Sequence, residues 1–564
     1  MTPEHWDAVI VGSGFGGSTV AYRLAEAGLA VCLLERGKAY PPGSFPRSPL
    51  GVRRNFWDPS AGDYGMFNVW SFRGIEGLVS SGLGGGSLIY ANVLLRKDPK
   101  WFTHEDHDGA YEHWPVTYDD LVPHYEHVER LMDPQLFPLA HAPFDATAKT
   151  LAFKQAAEAL GLDWKLIPLA VKFANAGEPP AAGKLLHEEI PNLHGRTRVT
   201  CTLCGECDVG CNYGAKNTLD YTHLSAVARR ENAVIRTLCE VKSFAPRPEG
   251  GFTIEYSEHD PKAPSKKDGR ELSPRRTVTA DRLILSAGTF GSPFLLLKNQ
   301  SAFPHLSRAL GTRFCGNGDF LGLYLKSRGK DGKSRLLDAG RGPVITSAVR
   351  GADELDGTGA KGRGFYIEDA GHPEFVNWLV EATQAKGLAK RLALFAWRRI
   401  VSMVTGDPRS DITEEIQALL GDCAFSSSSM AVLGMGRDVA DGTMKLRKGN
   451  LDVDWNTETS EPYFNRLRGA MKEIADELEA KFKVNPTWYL RRVITVHPLG
   501  GCPMGRDERE GVVDSHGQVF HYPGLYVADG SVMPGPVGAN PSLTIAAMAD
   551  RTAEQILRQT GRLV

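Results

Sequence analysis

Apolar runs separated by glycine-rich turns dominate the first part of the chain. Residues 8–11 are apolar, the turn Gly12-Ser13-Gly14-Phe15-Gly16-Gly17 follows, and a helix-compatible segment extends through Ala27. A second apolar run, residues 30–34, ends at Glu35. This order predicts a strand, a tight turn, a helix and a second strand, which is the βαβ arrangement of a dinucleotide-binding unit.

The residue types in this unit suit a dinucleotide. Gly12 permits the sharp turn, Gly14 lets the backbone approach a pyrophosphate, and Gly17 lets helix and strand pack closely. The N-terminus of the helix offers unpaired N–H groups to the phosphates. Glu35 is placed to accept hydrogen bonds from a ribose 2'-hydroxyl, and its charge disfavours the 2'-phosphate of NADP. The pattern predicts NAD or FAD without distinguishing them.

Further patterns predict elements later in the chain. Residues 147–160 have a helical period, and residues 179–196 are rich in Pro, Gly and His, which predicts a loop. Two strand-like runs flank a turn between residues 232 and 256. The apolar run 282–286 leads into a glycine turn and a helix, which we expect to close the nucleotide domain. A last helix is predicted to begin near Ser542.

Composition limits the classes of function. A chain of 564 residues is longer than one hydrophobic core usually supports, so we expect two domains or one elaborated domain. The 65 Lys and Arg nearly balance the 67 Asp and Glu, which gives no electrostatic reason to expect nucleic acid. The first apolar run has no basic leader, and no run of about twenty apolar residues occurs. We therefore expect a cytoplasmic enzyme whose membrane contact, if any, is peripheral to the inner membrane face.

Four of the nine cysteines crowd into eleven residues: Cys201, Cys204, Cys207 and Cys211. The spacing C-x2-C-x2-C-x3-C is that of bacterial ferredoxins, whose thiolates hold an iron–sulfur cluster. Asn212 stands where the ferredoxin run has proline. The spacing predicts an iron–sulfur cluster, with a structural zinc or four free thiols as open alternatives.

A second glycine-dense turn follows the nucleotide-binding unit, Gly82-Leu83-Gly84-Gly85-Gly86-Ser87-Leu88. Three consecutive glycines indicate backbone packed against a flat ligand or another segment, because no side chain fits there. With this GGGS turn the chain resembles the glucose-methanol-choline (GMC) oxidoreductases, which are flavoproteins. The resemblance selects FAD over NAD, and it implies that Gly84, Gly85, Gly86 and Ser87 lie along the isoalloxazine and pyrophosphate.

The C-terminal part strengthens the resemblance. The runs His497-Pro498-Leu499-Gly500-Gly501-Cys502 and Gly538-Ala539-Asn540-Pro541 resemble motifs of the cholesterol oxidase-like branch of the GMC family, as does Gly316-Asn317-Gly318-Asp319-Phe320. The resemblance implies that His497 orients and deprotonates a substrate hydroxyl and that Asn540 binds near the flavin and the substrate oxygen. It also implies that Asp529, followed by Gly530, contacts the ribityl chain or a phosphate.

A third site residue is implied by the segment GFYIEDAGHPEFVNW at residues 364–378. It resembles the sheet segment that carries the catalytic glutamate of the cholesterol oxidase-like enzymes, which places that role on Glu368. A carboxyl group beside an apolar steroid has a raised pKa and can move a proton between ring carbons. Asp369 and Glu374 are alternatives for this role, and a salt-bridged strand carboxylate is the plainer interpretation of Glu368.

Residues 385–404 predict an amphipathic helix with basic residues and Trp397. Such helices bind membrane surfaces or cover a lipid site, and an ordinary helix packed on its domain is the alternative.

The expected fold is α/β, with a Rossmann-like FAD-binding domain and a smaller α+β substrate domain whose sheet is covered by helices. We assign residues 1–145, 190–320 and 480–564 to the first domain and residues 146–189 and 321–479 to the second.

The resemblance implies oxidation of the 3-hydroxyl of a sterol or steroid by hydride transfer to flavin N5, with migration of a double bond as a second step. A long-chain alcohol, a sugar or a ketone to be desaturated is the alternative substrate. Oxygen or an electron carrier would take the electrons, the carrier through an iron–sulfur cluster. An electron-transfer protein without a small substrate is the alternative class.

Overall fold

The computed structural model describes residues 3–105, 110–188, 191–262, 266–267, 270–271, 273–373 and 427–563. The predicted basic helix at 385–404 and the alternative acid Glu374 lie outside these residues. The helices are Phe15–Glu26, Pro49–Arg53, Tyr118–Met132, Ala148–Ala159, His223–Val227, Gly288–Lys298, Glu461–Glu477 and Ser542–Gln559. Within the described ranges, no helix has both the length and the apolar character needed to cross a membrane.

The predicted βαβ unit forms the centre of the first sheet. The strands Glu4–Val11 and Val31–Leu34 are parallel and are joined by the helix Phe15–Glu26. Residues 8–11 and 31–34 are buried throughout, as expected of parallel strands covered on both faces. The strand order across the sheet is Ala233–Arg236, Val31–Leu34, Glu4–Val11, Arg275–Leu285, Phe252–Glu258 and Cys239–Pro246.

The strand Arg275–Leu285 spans both the parallel part and the antiparallel part of this sheet. Its residues 278–285 run parallel to Glu4–Val11 and its residues 283–285 to Leu525–Val527, whereas residues 275–280 pair antiparallel with Phe252–Glu258. The two strand-like runs predicted between residues 232 and 256 form three strands. The strand is interrupted at Leu238, which has a φ of 60°. Ala233–Arg236 therefore joins the parallel side of the sheet, and Cys239–Pro246 joins the antiparallel side.

The second sheet has six strands, and every pairing between neighbours is antiparallel. Its order is Asp163–Leu166, Ser347–Gly351, Phe365–Ala370, Met430–Gly436, Phe320–Leu325 and Lys481–Val484. The helices Ala148–Ala159 and Glu461–Glu477 pack their apolar sides on one face of this sheet in a common core. The opposite face carries Ala348, Tyr366, Ala370 and Met435, which belong to a separate core.

A small third sheet brings the C-terminal motifs toward the second sheet. The strand Val493–Thr495 runs parallel to Ile75–Ser80, which pairs antiparallel with Phe67–Ser71. The remaining strands form short hairpins or ribbons: Trp57–Asp58 with Asp63–Tyr64, Thr103–Glu105 with Tyr111–His113, Gln135–Leu136 with Pro168–Leu169, Lys266–Lys267 with Arg270–Glu271, and Thr443–Arg447 with Asn450–Asp454. The predicted α/β class with a Rossmann-like unit and a smaller sheet covered by helices is confirmed. The predicted domain boundaries stay a prediction.

Candidate functional site

The first glycine turn is packed so closely that three of its glycines, Gly12, Gly16 and Gly17, have no room for a side chain. Gly12 has a φ of +100°, and a Cβ atom there would lie 2.3 Å from the carbonyl oxygen of Ser286. A Cβ at Gly17 would lie 2.0 Å from the carbonyl oxygen of Gly12. These glycines therefore let the helix Phe15–Glu26 approach the ends of two parallel strands.

The two glycine turns together form a backbone surface that faces open space. The N–H of Gly84 donates to Ser13 Oγ over 3.0 Å, and a Cβ at Gly85 would lie 2.6 Å from the Cα of Gly14. By contrast, a Cβ at Gly14 or Gly86 would meet nothing within 4 Å. Gly14 is also the N-cap of the helix and supplies no capping side chain. Open backbone and an uncapped helix N-terminus fit the diphosphate of FAD.

Glu35 is buried behind the first turn and holds it in place. One carboxylate oxygen accepts hydrogen bonds from Ser13 N at 3.0 Å and Ser13 Oγ at 2.6 Å. The other oxygen accepts from Gly37 N at 2.8 Å. Glu35 thus orients the loop that would bind the pyrophosphate, and its contact with a ribose stays a prediction.

Asp529 connects two loops at the carboxyl ends of the parallel strands. Its Oδ2 accepts from Gly288 N at 2.9 Å and from Ser292 Oγ at 2.5 Å. Its Oδ1 accepts from Ser531 N at 2.9 Å and Ser531 Oγ at 2.6 Å. The neighbouring Gly530 is buried beside Thr289. The structure gives Asp529 a loop-binding role, and contacts of Asp529 and Gly530 with FAD stay predictions.

His497 lies just after the strand Val493–Thr495 and is held by a buried carboxylate. Its Nδ1 lies 2.8 Å from Asp319 Oδ1. The other oxygen of Asp319 accepts from Thr495 Oγ1, Val496 N and His497 N at 2.9, 2.8 and 3.1 Å. The His497 side chain keeps 15% of its surface exposed, whereas that of Asp319 is fully buried. His497 is therefore a partly accessible imidazole with a fixed orientation.

The turn at residues 316–320 joins the His497 segment to the Asn540 segment. Asn317 accepts from Gly538 N at 2.7 Å and donates to the carbonyl of Ala539 at 3.0 Å, while Asp319 binds His497. Asn317 has a φ of 55°, a conformation that asparagine adopts more readily than most residues. The sequence drew attention to this turn only through the family resemblance, so the roles of its two polar side chains were missed. Polar residues between glycines were the available signal.

Glu368 and Asn540 form a buried polar pair on the face of the second sheet opposite the two helices. Asn540 Nδ2 donates to Glu368 Oε2 over 3.4 Å, and neither Glu368 Oε1 nor Asn540 Oδ1 has a hydrogen-bond partner among the residues that the structure describes. The strand register places Glu368 between Ala348 and Leu433, with Leu321 next to Leu433. Burial among these apolar neighbours, followed by the charges of Asp369 and Asp319, raises the pKa of Glu368 to about 8.

The adjacent carboxylate, Asp369, has a structural role. It forms an ion pair with Lys149 at 2.7 Å, and both side chains are fully buried. The backbone N–H groups of Thr346 and Ser347 donate to the same carboxylate at 3.0 and 2.7 Å. Successive strand residues point to opposite faces, so Asp369 cannot share the environment of Glu368. Among the described candidates, Glu368 is the acid whose oxygen is left free.

The four clustered cysteines lie beside the second glycine turn. The buried Lys216 Nζ donates to the carbonyls of Leu88, Tyr90 and Cys207 at 3.1, 2.8 and 2.7 Å, which connects the two segments. Cys201, Cys204, Cys207 and Cys211 are free and line one cavity of about 20 Å³, room for about one water molecule. Burial, with the charge of neighbouring thiols, raises the pKa of Cys204 to about 12.

This arrangement does not fit an iron–sulfur cluster. In the ranges that the structure describes, no group of three or more His, Cys, Asp or Glu side chains is arranged to hold a metal ion.

Comparison with known proteins agrees with these features. Sequence profiles described as GMC oxidoreductase match residues 192–315 and 438–549, and one described as an NAD(P)-binding Rossmann-like domain matches residues 10–44. The chain is 29% identical over 570 residues to a cholesterol oxidase of Mycobacterium tuberculosis, covering 98% of this chain and 91% of that protein. It is 23% identical to long-chain-alcohol oxidase FAO4B of Arabidopsis thaliana, covering 96% and 66% of the two chains.

The fold has counterparts among solved structures. The crystal structure of pyridoxine 4-oxidase from Mesorbium loti superimposes with a TM-score of 0.57 at 18% identity, covering 98% of this chain and 99% of that chain. The two comparisons that cover 98% of this chain include the regions of the two open glycine turns, of the histidine bound to a carboxylate, and of the buried glutamate–asparagine pair. The chain belongs to the GMC oxidoreductase family, in its cholesterol oxidase-like branch, and is an FAD-dependent oxidoreductase.

Proposed function

We propose that this enzyme oxidises the 3-hydroxyl group of a sterol or steroid and then moves the ring double bond into conjugation with the new ketone. The observation that carries the proposal is the buried Glu368 carboxyl group, of which one oxygen has no hydrogen-bond partner among the described residues. Oxidation of an alcohol needs one base, and His497 meets that need. A second acid–base group among apolar side chains is what migration of a double bond requires.

The surface around Glu368 supports an apolar ring system as the substrate. Leu321, Leu323 and Leu433 lie on the same face as Glu368, and Leu321 keeps 37% of its surface exposed. Ala431 and Ala370 continue this face in the next cross-strand row. Such a surface offers a sugar few hydrogen-bond partners, whereas burying it under a steroid contributes about 25 cal/mol for each Å² of apolar area removed from water.

His497 would act in the oxidation step. The hydroxyl proton has to leave as the hydride departs from the carbinol carbon, and Nε2 of a histidine bonded through Nδ1 can accept it near neutral pH. FAD, when bound, supplies the hydride acceptor. Asn540, whose Oδ1 is unpaired, can accept a hydrogen bond from the substrate beside Glu368.

Glu368 would act in the second step. Its ionised form takes a proton from the carbon between the ketone and the double bond and returns that proton to the far carbon of the alkene. The electrons shift within the ring system, and nothing is oxidised or reduced. A pKa of about 8 leaves enough carboxylate near neutral pH and makes the carboxylic acid a competent donor afterwards.

Two variants separate the steps. The flavin of Glu368→Gln should still be bleached by a 3-hydroxysteroid under anaerobic conditions, but this variant should release the unconjugated ketone. The flavin of His497→Asn should be bleached about 10²-fold or more slowly than that of wild type. This variant should still isomerise an unconjugated ketosteroid that is supplied to it. Bleaching is followed in a stopped-flow instrument and the product by its conjugated-enone ultraviolet band. Isomerisation at the wild-type rate by Glu368→Gln would contradict the role of Glu368.

Substrate choice is tested in the same instrument with cholesterol, a 3-hydroxysteroid, a long-chain alcohol, a sugar and a ketosteroid. Bleaching by the long-chain alcohol alone would replace the sterol by an aliphatic substrate, and bleaching by the ketone alone would indicate desaturation. Bleaching by none of these compounds would favour an electron-transfer protein.

We propose oxygen as the electron acceptor, with a protein carrier as the alternative. Fast reoxidation of the bleached enzyme on mixing with oxygen supports an oxidase, and slow reoxidation supports a dehydrogenase. Assays of iron and acid-labile sulfide on anaerobically purified enzyme test the cluster that the cysteine spacing predicts, and stoichiometric amounts of both would restore it.

We further propose a cytoplasmic location with peripheral contact at the inner membrane face. The support is the basic amphipathic pattern of residues 385–404 in the sequence. Salt-sensitive co-sedimentation with anionic vesicles is expected, and no co-sedimentation at low salt would contradict it.

A further inference from the structure

One buried carboxylate binds His497 without belonging to any of the motifs assigned above to substrate or flavin. We infer that Asp319 is a positioning residue that holds His497 with its proton on Nδ1 and leaves Nε2 free to accept the proton of the substrate hydroxyl. This inference rests on the proposed role of His497 as the base.

The geometry separates the two oxygens of Asp319 into two tasks. Oδ2 accepts from Thr495 Oγ1, Val496 N and His497 N, all within 3.1 Å. These three donors come from the strand end and the turn that follows it, so they fix the rotation of the carboxylate. Oδ1 is thereby left facing the imidazole, with Nδ1 at 2.8 Å.

The chemistry of the contact decides the tautomer. An ionised carboxylate has no proton to donate, so the hydrogen bond requires an N–H group at Nδ1. In a neutral imidazole the lone pair is then on Nε2, which is the nitrogen that can accept a proton. No described residue forms a hydrogen bond with Nε2, whereas the Asp319 side chain is fully buried. After proton transfer, the carboxylate also stabilises the imidazolium in a poorly solvated place.

Two other acids interact electrostatically with Asp319, and both are shifted toward the neutral form. Burial raises the pKa of Glu368 to about 8 and that of Asp438 to about 7. Asp438 accepts from Gly316 N at 3.0 Å, at the start of the same turn. Asp438 therefore contacts the same loop as Asp319, and it provides a control carboxyl group that does not bind the histidine.

Asp319→Asn tests the inference because it retains the shape of the side chain. The amide oxygen can take the three donors from the strand end, which leaves the NH₂ group facing Nδ1. Nδ1 must then accept a hydrogen bond, so the imidazole proton moves to Nε2 and the base is lost. We expect anaerobic flavin reduction to slow by about 10²-fold or more, with the loss persisting across the pH range.

The direct readout is the histidine tautomer in FAD-loaded enzyme labelled with ¹⁵N-histidine. The chain has 16 histidines, so the signals of His497 are assigned by difference from His497→Gln. Wild type should show the Nδ1–H tautomer, Asp319→Asn the Nε2–H tautomer, and Asp438→Asn the wild-type pattern. Thr495→Val removes one donor to Oδ2 and should leave the tautomer unchanged.

The inference is overturned if wild type carries its proton on Nε2, an outcome that does not depend on whether any Asp319 variant folds. It is also overturned if Asp319→Asn keeps the Nδ1–H tautomer and the wild-type rate of reduction. Failure of the sterol proposal looks different. In that case no 3-hydroxysteroid bleaches the wild-type flavin, while the tautomer measurement still reports on Asp319 and His497.

Discussion

The two large sheets place their functional groups by different means. At the first sheet, the groups expected to bind FAD are backbone atoms of two turns. The turn around Gly14 follows the strand Glu4–Val11, and the turn around Gly86, which follows Ile75–Ser80 of the third sheet, packs against it. In the second sheet, the proposed acid–base group is one side chain, Glu368, in the middle of a face that its cross-strand neighbours make apolar.

This difference determines what each region tolerates. A turn that binds through its backbone depends on the absence of side chains, so glycines carry its function. A site on a sheet face depends on which side chain points where, and a shift of one residue would exchange Glu368 for Asp369. Four substitutions test this contrast, from the largest expected effect to the smallest.

Gly12→Ala should have the largest effect, because a Cβ has no room at this position of the first turn. The alanine would be forced to a φ of +100° and would press on the carbonyl oxygen of Ser286 at 2.3 Å. We expect a loss of stability on the order of 4 kcal/mol and little soluble flavin-loaded protein, measured by thermal unfolding and flavin content. The control is Gly469→Ala, in the helix Glu461–Glu477, where the Cβ meets nothing within 4 Å. Equal behaviour of the two variants would disprove the packing argument.

Asp369→Asn should come next, although Asp369 adjoins the proposed acid–base residue. It leaves the ammonium of Lys149 buried without its counter-charge, which typically costs about 3–5 kcal/mol. Chemical denaturation measures the change. Glu158→Gln, which breaks the exposed pair with Lys154 on the same helix, should cost less than about 1 kcal/mol. A mild effect of Asp369→Asn would make Asp369 a candidate for chemistry again.

Gly14→Ala should separate cofactor binding from folding. Its Cβ meets no protein atom within 4 Å, but it would stand where the pyrophosphate is expected. We expect the thermal midpoint of the FAD-free protein to stay near that of wild type and the affinity for FAD to fall about tenfold or more, by about 1.4 kcal/mol. Titration of FAD-free protein with FAD measures it. Unchanged affinity would mean that the cofactor does not lie against this turn.

Near pH 5, Glu368→Gln should have the smallest effect of the four substitutions, and this effect should grow as the pH rises. The folded state keeps the Glu368 proton up to a pKa of about 8, whereas the unfolded chain loses it near about 4.3. The unfolded state therefore binds fewer protons between these values, and wild-type stability falls as the pH rises through this window. Glutamine removes that loss, so the variant should gain a few degrees over wild type from pH 5 to pH 8.

Thermal unfolding of both proteins at the two pH values measures this gain. Glu458→Gln, at an exposed ion pair with Arg491, should show no such dependence on pH. A constant difference between Glu368→Gln and wild type would mean that Glu368 is ionised throughout.

Much of the first sheet could be predicted from the sequence. The strand, glycine turn and helix at residues 8–27 are close in the chain, and their pattern depends on local backbone rules. The helices at 148–159 and 542–559 were predicted for the same reason. The cysteine run shows the limit of this approach, because spacing along the chain does not orient four thiols toward one point.

The sequence by itself determined the nucleotide-binding turns, the α/β class and the family, because glycines and short apolar runs act over a few neighbouring residues. The tertiary structure alone decided that Glu368 and Asp369 lie on opposite faces of the second sheet in different surroundings, since strand register sets which side chains share a face. It also decided the partner of His497, because Asp319 lies 178 residues away and meets it only where two turns converge.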